Sequence, residues 1–211
     1  MCSCARHPIE ILCIFEKKEL FNRQTFVAVA RKMKNTIKKQ KMILTNNKLT
    51  LRPFKDSDAK ILAELCNNKK IWDNLRDYIP FPYTENNAIE FIKYCQTESP
   101  QQTFAIEFNG EFAGSIGLVK QNDVYRLTAE IGYWLGEPFW GQGIATKAVK
   151  LIIEYGFSQL GLIRIYSGVF DFNKASQRVL EKAGFTLECI VEKAVIKNNK
   201  ICDEYRYGLI N

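Results

Sequence analysis

The sequence predicts an α/β (α+β) chain in which helices flank a mixed, mostly antiparallel central sheet. Three observations carry that expectation. β-rich runs meet at the hairpin signals Asn109-Gly110 and Asn198-Asn199. Apolar residues from Ile144 to Leu160 recur with a helical period. In the order of the elements, hairpins outnumber crossovers.

The first strand is the alternating run Lys48-Leu-Thr-Leu-Arg-Pro53, and Asp56 or Ser57 can cap a helix whose apolar stripe is Ala59, Ile61, Leu62 and Leu65. Asn74 to Thr84 holds two prolines and three aromatics, so it is a loop, and Thr84 can cap the next helix through about Gln96. Thr103 to Phe108 and Glu111 to Val119 form a hairpin about Asn109-Gly110, and Leu127 to Leu135 adds a third strand after the break at Asp123. The helix from Ile144 stops at Gly161. Leu162 to Phe170 is a strand, Asn173 to Ala183 a helix ended by Gly184, and two strands about Asn198-Asn199 complete the chain.

Composition narrows the function classes. The 211 residues are 46% hydrophobic and 25% charged, with no apolar run approaching the roughly 18 residues that cross a bilayer, so wholesale disorder and a membrane-spanning reading both fail. The net charge of +7 lies in residues 1–45, which hold ten Lys+Arg and three Asp+Glu; the remaining residues carry twenty of each sign. A nucleic-acid reading therefore rests on the Arg31 to Lys41 run alone, and neither direct nucleic-acid binding nor a membrane partner is expected of the body. Residues 1–41 read as a basic extension before a single domain at 42–211, either a targeting or membrane-surface helix or a stretch upstream of an initiator at Met42.

Seven cysteines without a Cys-x-x-Cys pair, and His7 as the sole histidine, offer no ligand set for zinc, so no metal is expected. The odd count fits reduced thiols in a cytoplasmic protein. Without a histidine in the body, Ser-His and Cys-His catalysis are unavailable there, and a general base must be Glu, Asp, Tyr or water.

The informative stretch runs from Ala129 to Thr146, a strand that passes through a glycine turn into the long helix. Bare backbone N–H groups and the positive end of the helix dipole can cradle a phosphate there. A Walker A loop is excluded because Gly141 is followed by Gln142-Gly143 rather than Lys-Ser/Thr. A dinucleotide fingerprint would need glycine where Thr146 stands, although Asp171 at the end of the next strand keeps that alternative open.

With its flanks, the stretch resembles motif A of the GNAT acetyltransferases, and in particular the Rim-type enzymes that acetylate N-terminal amines of ribosomal proteins. The resemblance runs from Leu49-Thr-Leu-Arg-Pro-Phe54 through Ala129-Glu-Ile-Gly-Tyr-Trp-Leu135 and Trp140-Gly-Gln-Gly-Ile-Ala145 to Asn173-Lys-Ala-Ser-Gln-Arg-Val-Leu-Glu-Lys-Ala-Gly-Phe185. Trp140 replaces the family's leading Arg or Gln. What the resemblance implies is an acyl-CoA N-acyltransferase fold, with acetyl-CoA as co-substrate. Its pyrophosphate would lie on Trp140, Gly141, Gln142, Gly143, Ile144, Ala145 and Thr146. Its pantetheine arm would pair with a strand edge freed near Trp134 and Leu135 and touch Asn173.

By the same resemblance Glu130 is the base, directly or through water, and burial would raise its pKa toward the working range. The family's usual tyrosine seven residues after the Asn is Leu180 here, so Ser176 stands as the group that can donate to the CoA sulfur. Acceptor recognition is expected from Tyr78, Phe81 and Tyr83 in the loop and from Asp203, Glu204 and Tyr205 in the last hairpin.

The expected activity is transfer of an acetyl group to a primary amine, whether on a peptide, on a ribosomal-protein N-terminus or on a small molecule such as a polyamine or antibiotic. The expected assembly is a monomer or homodimer. The other class left open is a non-catalytic acyl-CoA or nucleotide binding module.

Overall fold

The computed structural model describes residues 44–46 and 48–211; the expectations made for residues 1–41 lie outside the described residues. In chain order the elements are β1 (Leu44–Asn46), β2 (Leu49–Arg52), α1 (Ala59–Cys66), α2 (Lys69–Trp72), α3 (Glu85–Thr97), β3 (Thr103–Phe108), β4 (Glu111–Lys120), β5 (Thr128–Leu135), α4 (Ile144–Ser158), β6 (Arg164–Phe170), α5 (Lys174–Ala183), β7 (Thr186–Lys197) and β8 (Lys200–Ile210). Two of these were not expected from the sequence. β1 and α2 are three and four residues long, too short for either period to show.

The strands form one sheet in the order β1-β2-β3-β4-β5-β6-β8-β7, antiparallel throughout except where β5 meets β6. Both hairpin signals act as turns with two consecutive positive φ values: 52° and 84° at Asn109 and Gly110, 50° and 60° at Asn198 and Asn199. That conformation matches the twist of the strands it joins, and Asn and Gly adopt it at least cost. Thr84 caps α3 through its hydroxyl, which accepts from Asn87 N–H.

Apolar residues divide between the two faces of the sheet. On one face α4 buries Ile144, Ala148, Val149 and Ile152 against Ile116, Leu118, Ile131 and Ile165, and α5 adds Leu180. On the other, α1 and α3 bury Leu62, Ala88 and Ile92 with Phe54, Ala105 and Phe112, over the strands nearer β1. Arg52 secures this second layer: it is buried, with Nη1 and Nη2 on Asp58 at 2.7 and 2.9 Å and Nε on Glu107 at 2.6 Å, tying β2 and β3 to the start of α1. Beyond that layer, the same face of β6 and β8 presents Tyr166, Gly168, Glu204 and Arg206 rather than a run of apolar side chains.

The parallel join is short. β5 and β6 pair only at Thr128–Arg164, Ala129–Ile165 and Glu130–Tyr166, and then the strands separate. Among the described residues no helix is long and apolar enough to cross a membrane.

Candidate active site

The phase of β5 decides what the gap between β5 and β6 exposes. Gln121 N–H donates to the Thr128 carbonyl at one end of the β4–β5 ladder, and Gly136 N–H donates to the Ala113 carbonyl just past the other. Even-numbered residues of β5 therefore bond to β4, and alternation turns the main-chain groups of Tyr133 and Leu135 toward β6, past the point where β6 has left. The freed edge expected near Trp134 and Leu135 thus lies at Tyr133 and Leu135. The Trp134 main chain is engaged by β4 opposite Ser115, while its ring packs against Phe112 at 6.4 Å. Leu135 is itself partly engaged, because its carbonyl accepts from the Trp140 indole N–H at 2.8 Å.

A cavity of about 570 Å³ opens at this gap. Tyr133, Trp134, Leu135, Trp140 and the turn residues Gly141, Gly143, Ile144, Ala145 and Thr146 form one wall. Asn173, Ser176, Arg178 and Lys182 of the α5 segment form another, and Lys70 and Asn74 close the third side. Gln142 is the exception among the turn residues: its side chain folds back to donate to the Pro138 carbonyl at 3.0 Å.

The turn suits an anion. Gly141 and Gly143 sit at φ 74° and 71°, in the left-handed region that disfavours side chains, and a Cβ added at either would meet no protein atom within 4 Å. Gly143 is the N-cap of α4 and brings no side-chain cap, which leaves the first amides of the helix pointing into open space. A fifteen-residue helix dipole adds its positive end there. The cradle leaves room for an anion, and Arg178 and Lys182 stand on the facing wall of the cavity.

Across the cavity, Asn173 caps α5, its Oδ1 accepting from Ser176 N–H at 3.1 Å. The Ser176 hydroxyl lies 2.8 Å from the phenol oxygen of Tyr133. Burial pushes the Tyr133 phenol up to about 12, so it keeps its proton at neutral pH and is able to donate. Tyr133 was missed in the sequence although the signal was there: period two places it on the same face as Ile131 and Leu135, which adjoin the glycine turn. Leu180 is fully buried in the core, away from any role at the thioester.

Glu130 lies on the opposite face of β5, in the last β5–β6 pair before the strands diverge. The Arg76 guanidinium pairs with its Oε1 through Nη2, and Tyr166 stands beside it. The Tyr166 hydroxyl is pushed up by burial first and by the nearby Glu130 charge second.

The acceptor candidates separate. Tyr78 is exposed, and Phe81 lies on the Trp72 ring at 5.4 Å, so both remain at the loop surface. Tyr83 packs against the core beneath α1 and α3, where burial raises its phenol well above the ordinary range; it plugs the loop instead of clamping an acceptor. Asp203 anchors a bulge in β7, its Oδ1 accepting from Lys193 N–H at 2.8 Å. Tyr205 shares the α5 face, with Lys174 over its ring at 5.0 Å. Alternation along β8 thus puts Asp203 and Tyr205 on the side away from Glu130, and it is Glu204 and Arg206 that share the Glu130 face. Arg76 had no sequence signal, since its partner is 54 residues away.

A family model described as an acetyltransferase (GNAT) domain matches residues 48–186. The chain belongs to the GNAT acetyltransferases. It is an acetyl-CoA-dependent N-acetyltransferase. Among curated proteins it is similar to the spermidine N(1)-acetyltransferase of Escherichia coli (strain K12), 31% identical over 140 residues, 65% of this chain and 73% of that protein. Among solved structures it is similar to the microcin C7 self-immunity acetyltransferase MccE in complex with acetyl-CoA and AMP, with 29% identity and a TM-score of 0.68 over 79% of this chain and 94% of that one. The ribosomal L7/L12 α-N-protein acetyltransferase RimL, crystallised with coenzyme A, shares the fold with 24% identity and a TM-score of 0.70 over 80% and 98%. Among the described residues no group of three His, Cys, Asp or Glu side chains is placed to hold a metal ion.

Proposed function

We propose that this GNAT enzyme acetylates the α-amine of a peptide or protein N-terminus, with Glu130 receiving the amine's proton. One observation carries the reading: the β5–β6 pairing ends at Glu130 and Tyr166, so Glu130 stands at the head of the strand gap, with Tyr133 and Leu135 lining the cavity from one face of β5 and with Tyr166, Glu204 and Arg206 beside Glu130 on a second, polar face. An amine arriving across that second face meets Glu130 before it meets the thioester. Acetyl-CoA supplies an activated acetyl carbonyl; every other requirement falls to the chain.

Arg76 holds Oε1 of Glu130, while no described hydrogen bond engages Oε2, which is free to accept from the incoming amine or from a water that relays its proton. As the C–N bond forms, the Leu135 N–H turned into the gap can donate to the developing oxyanion. As the C–S bond breaks, Ser176 donates a hydrogen bond to the departing sulfur, and Tyr133 orients that hydroxyl. The thiolate then takes its proton from solvent, so one proton leaves the amine and one reaches the sulfur.

An α-amine has an ordinary pKa near 7.7–8.0 and a lysine amine near 10.4, so the α-amine asks far less of a base at neutral pH. Likeness to the spermidine enzyme supports a second reading with a polyamine acceptor. Cys66, Cys95, Cys189 and Cys202 are all free thiols, which supports a cytoplasmic setting. A panel of N-terminal peptides, lysine-blocked peptides and polyamines, offered with acetyl-CoA while thiol release is followed, tests the assignment. Turnover restricted to lysine side chains or polyamines overturns the α-amine reading.

A further inference from the structure

α2 and the loop after it tie one side of the strand gap to the other. On the β5 side, Asn68 donates to Glu137 Oε2 at 2.6 Å, and Lys70 pairs with Oε1 of the same carboxylate, just past the end of β5. On the far side β8 runs on beyond β6: Glu204 stands opposite Phe170, the last residue of β6, and Lys200 to Cys202 extend past it to the hairpin tip. There Asn198 donates to Asp73 Oδ1 at 2.9 Å, and the Lys197 ammonium donates to Asp77 Oδ1 at 2.6 Å. From adjacent positions Arg76 and Asp77 thus hold opposite sides of the gap, Glu130 on β5 and Lys197 on β7.

Lys197 is the fixed end of this strap. Among the described residues it is the only buried lysine, its side chain 2% exposed next to a solvated turn. Its Nζ lies 3.6 Å from the centroid of the Trp72 ring, so a π face and the Asp77 carboxylate together replace the water it has lost. Trp72 in turn donates through Nε1 to the Ile79 carbonyl at 2.8 Å and packs on Phe81, which folds residues 73–79 back over it. Arg76 and Asp77 are 55% and 64% exposed, and exposed ion pairs do little by themselves to hold long side chains in one place. The buried ammonium does.

We propose that Lys197 is a positioning residue for acetyl transfer: by pinning the α2 loop through Trp72 and Asp77, it keeps Arg76 on Glu130 and so fixes the carboxylate that meets the acceptor amine. The inference rests on the reading of Glu130 as the proton acceptor and deepens it. Lys197 is not among the residues that line the cavity, so it acts through the loop and not on the co-substrate. A buried ion pair adds little to stability over an apolar side chain of the same shape, so the ammonium is better explained by where it fixes the loop.

The test measures acetyl transfer to one neutral peptide α-amine and, separately, acetyl-CoA affinity by calorimetric titration, in K197M, D77A, R76Q and the K197M/R76Q double variant. K197M leaves Asp77 in solvent and strands no buried charge, so its Tm should stay close to native. We expect kcat/KM for the peptide to fall about tenfold in K197M and in D77A, with acetyl-CoA affinity within about twofold of native. In the R76Q background K197M should cost less than about twofold more, because the contact through which it acts is already gone. A K197M rate equal to native, a full loss that persists in R76Q, or acetyl-CoA affinity that falls in step with the rate each overturns the positioning role. Should K197M fail to fold, D77A answers from an exposed position, and a native rate there overturns the role as well. E130Q keeps the two claims apart: native rates in E130Q overturn the base and this inference together, whereas a slow E130Q beside a native-rate K197M overturns this inference alone.

Discussion

At the scale of single residues, the Tyr133–Ser176 pair shows how burial becomes chemistry. The Tyr133 phenol, pushed up to about 12 by burial, stays neutral where an unfolded tyrosine near 10 would ionise. Its contribution to stability is fully present below about pH 10 and is lost as the pH rises from there toward 12. Tyr133→Phe should therefore flatten the alkaline fall of Tm over that window, as thermal melts from pH 9 to 12 would show. An unchanged fall would mean that the ring is not shielded from solvent. The same variant leaves Ser176 without its orienting partner at 2.8 Å, and kcat should drop about 2–10-fold, the worth of one hydrogen bond, while KM for acetyl-CoA stays close to native. A loss confined to KM would make Tyr133 a binding residue only.

Elements set the next scale, and two of them carry opposite lessons about legibility. The turn into α4 was readable because glycines at 141 and 143 stand where a strand passes into a helix with no capping side chain before Ile144, a pattern that suits an anion cradle as well as a tight connection. Gly143→Val places a β-branched residue at φ 71° and a side chain where the phosphate belongs, so affinity for CoA should fall at least about tenfold by calorimetric titration. Native affinity in a folded Gly143→Val protein would move the pyrophosphate elsewhere.

The β2–α1 junction was not readable in this way. Arg52 stands in an alternating strand like any surface arginine, and only the fold reveals that it is buried between Asp58 and Glu107. Arg52→Met leaves one carboxylate buried and another half-covered without their cation, and should cost about 3–5 kcal/mol in denaturant unfolding. A loss below about 1 kcal/mol would show that water enters the pair. The last hairpin illustrates the same limit. Its turn was plain in Asn198-Asn199, but which of Asp203, Glu204, Tyr205 and Arg206 meet the acceptor depends on the phase of β8 against β6, and a one-residue slip exchanges the faces.

Over the whole molecule, the proposed function uses both faces of one sheet, with the acceptor amine beside Glu130 at the end of the short parallel join. The family match begins at residue 48, and a chain that starts at Met42 should keep the native Tm and turnover. Loss of either would assign residues 1–41 a part in the domain. On that reading Glu130 is where acceptor and thioester meet, and the most direct measurement is a pH–rate profile of kcat/KM for the native protein and Glu130→Gln with one neutral peptide acceptor. The account predicts a drop of about 10²-fold at neutral pH that narrows as the α-amine loses its proton unaided, with CoA affinity unchanged. Equal rates for the two proteins across the whole pH range would contradict it.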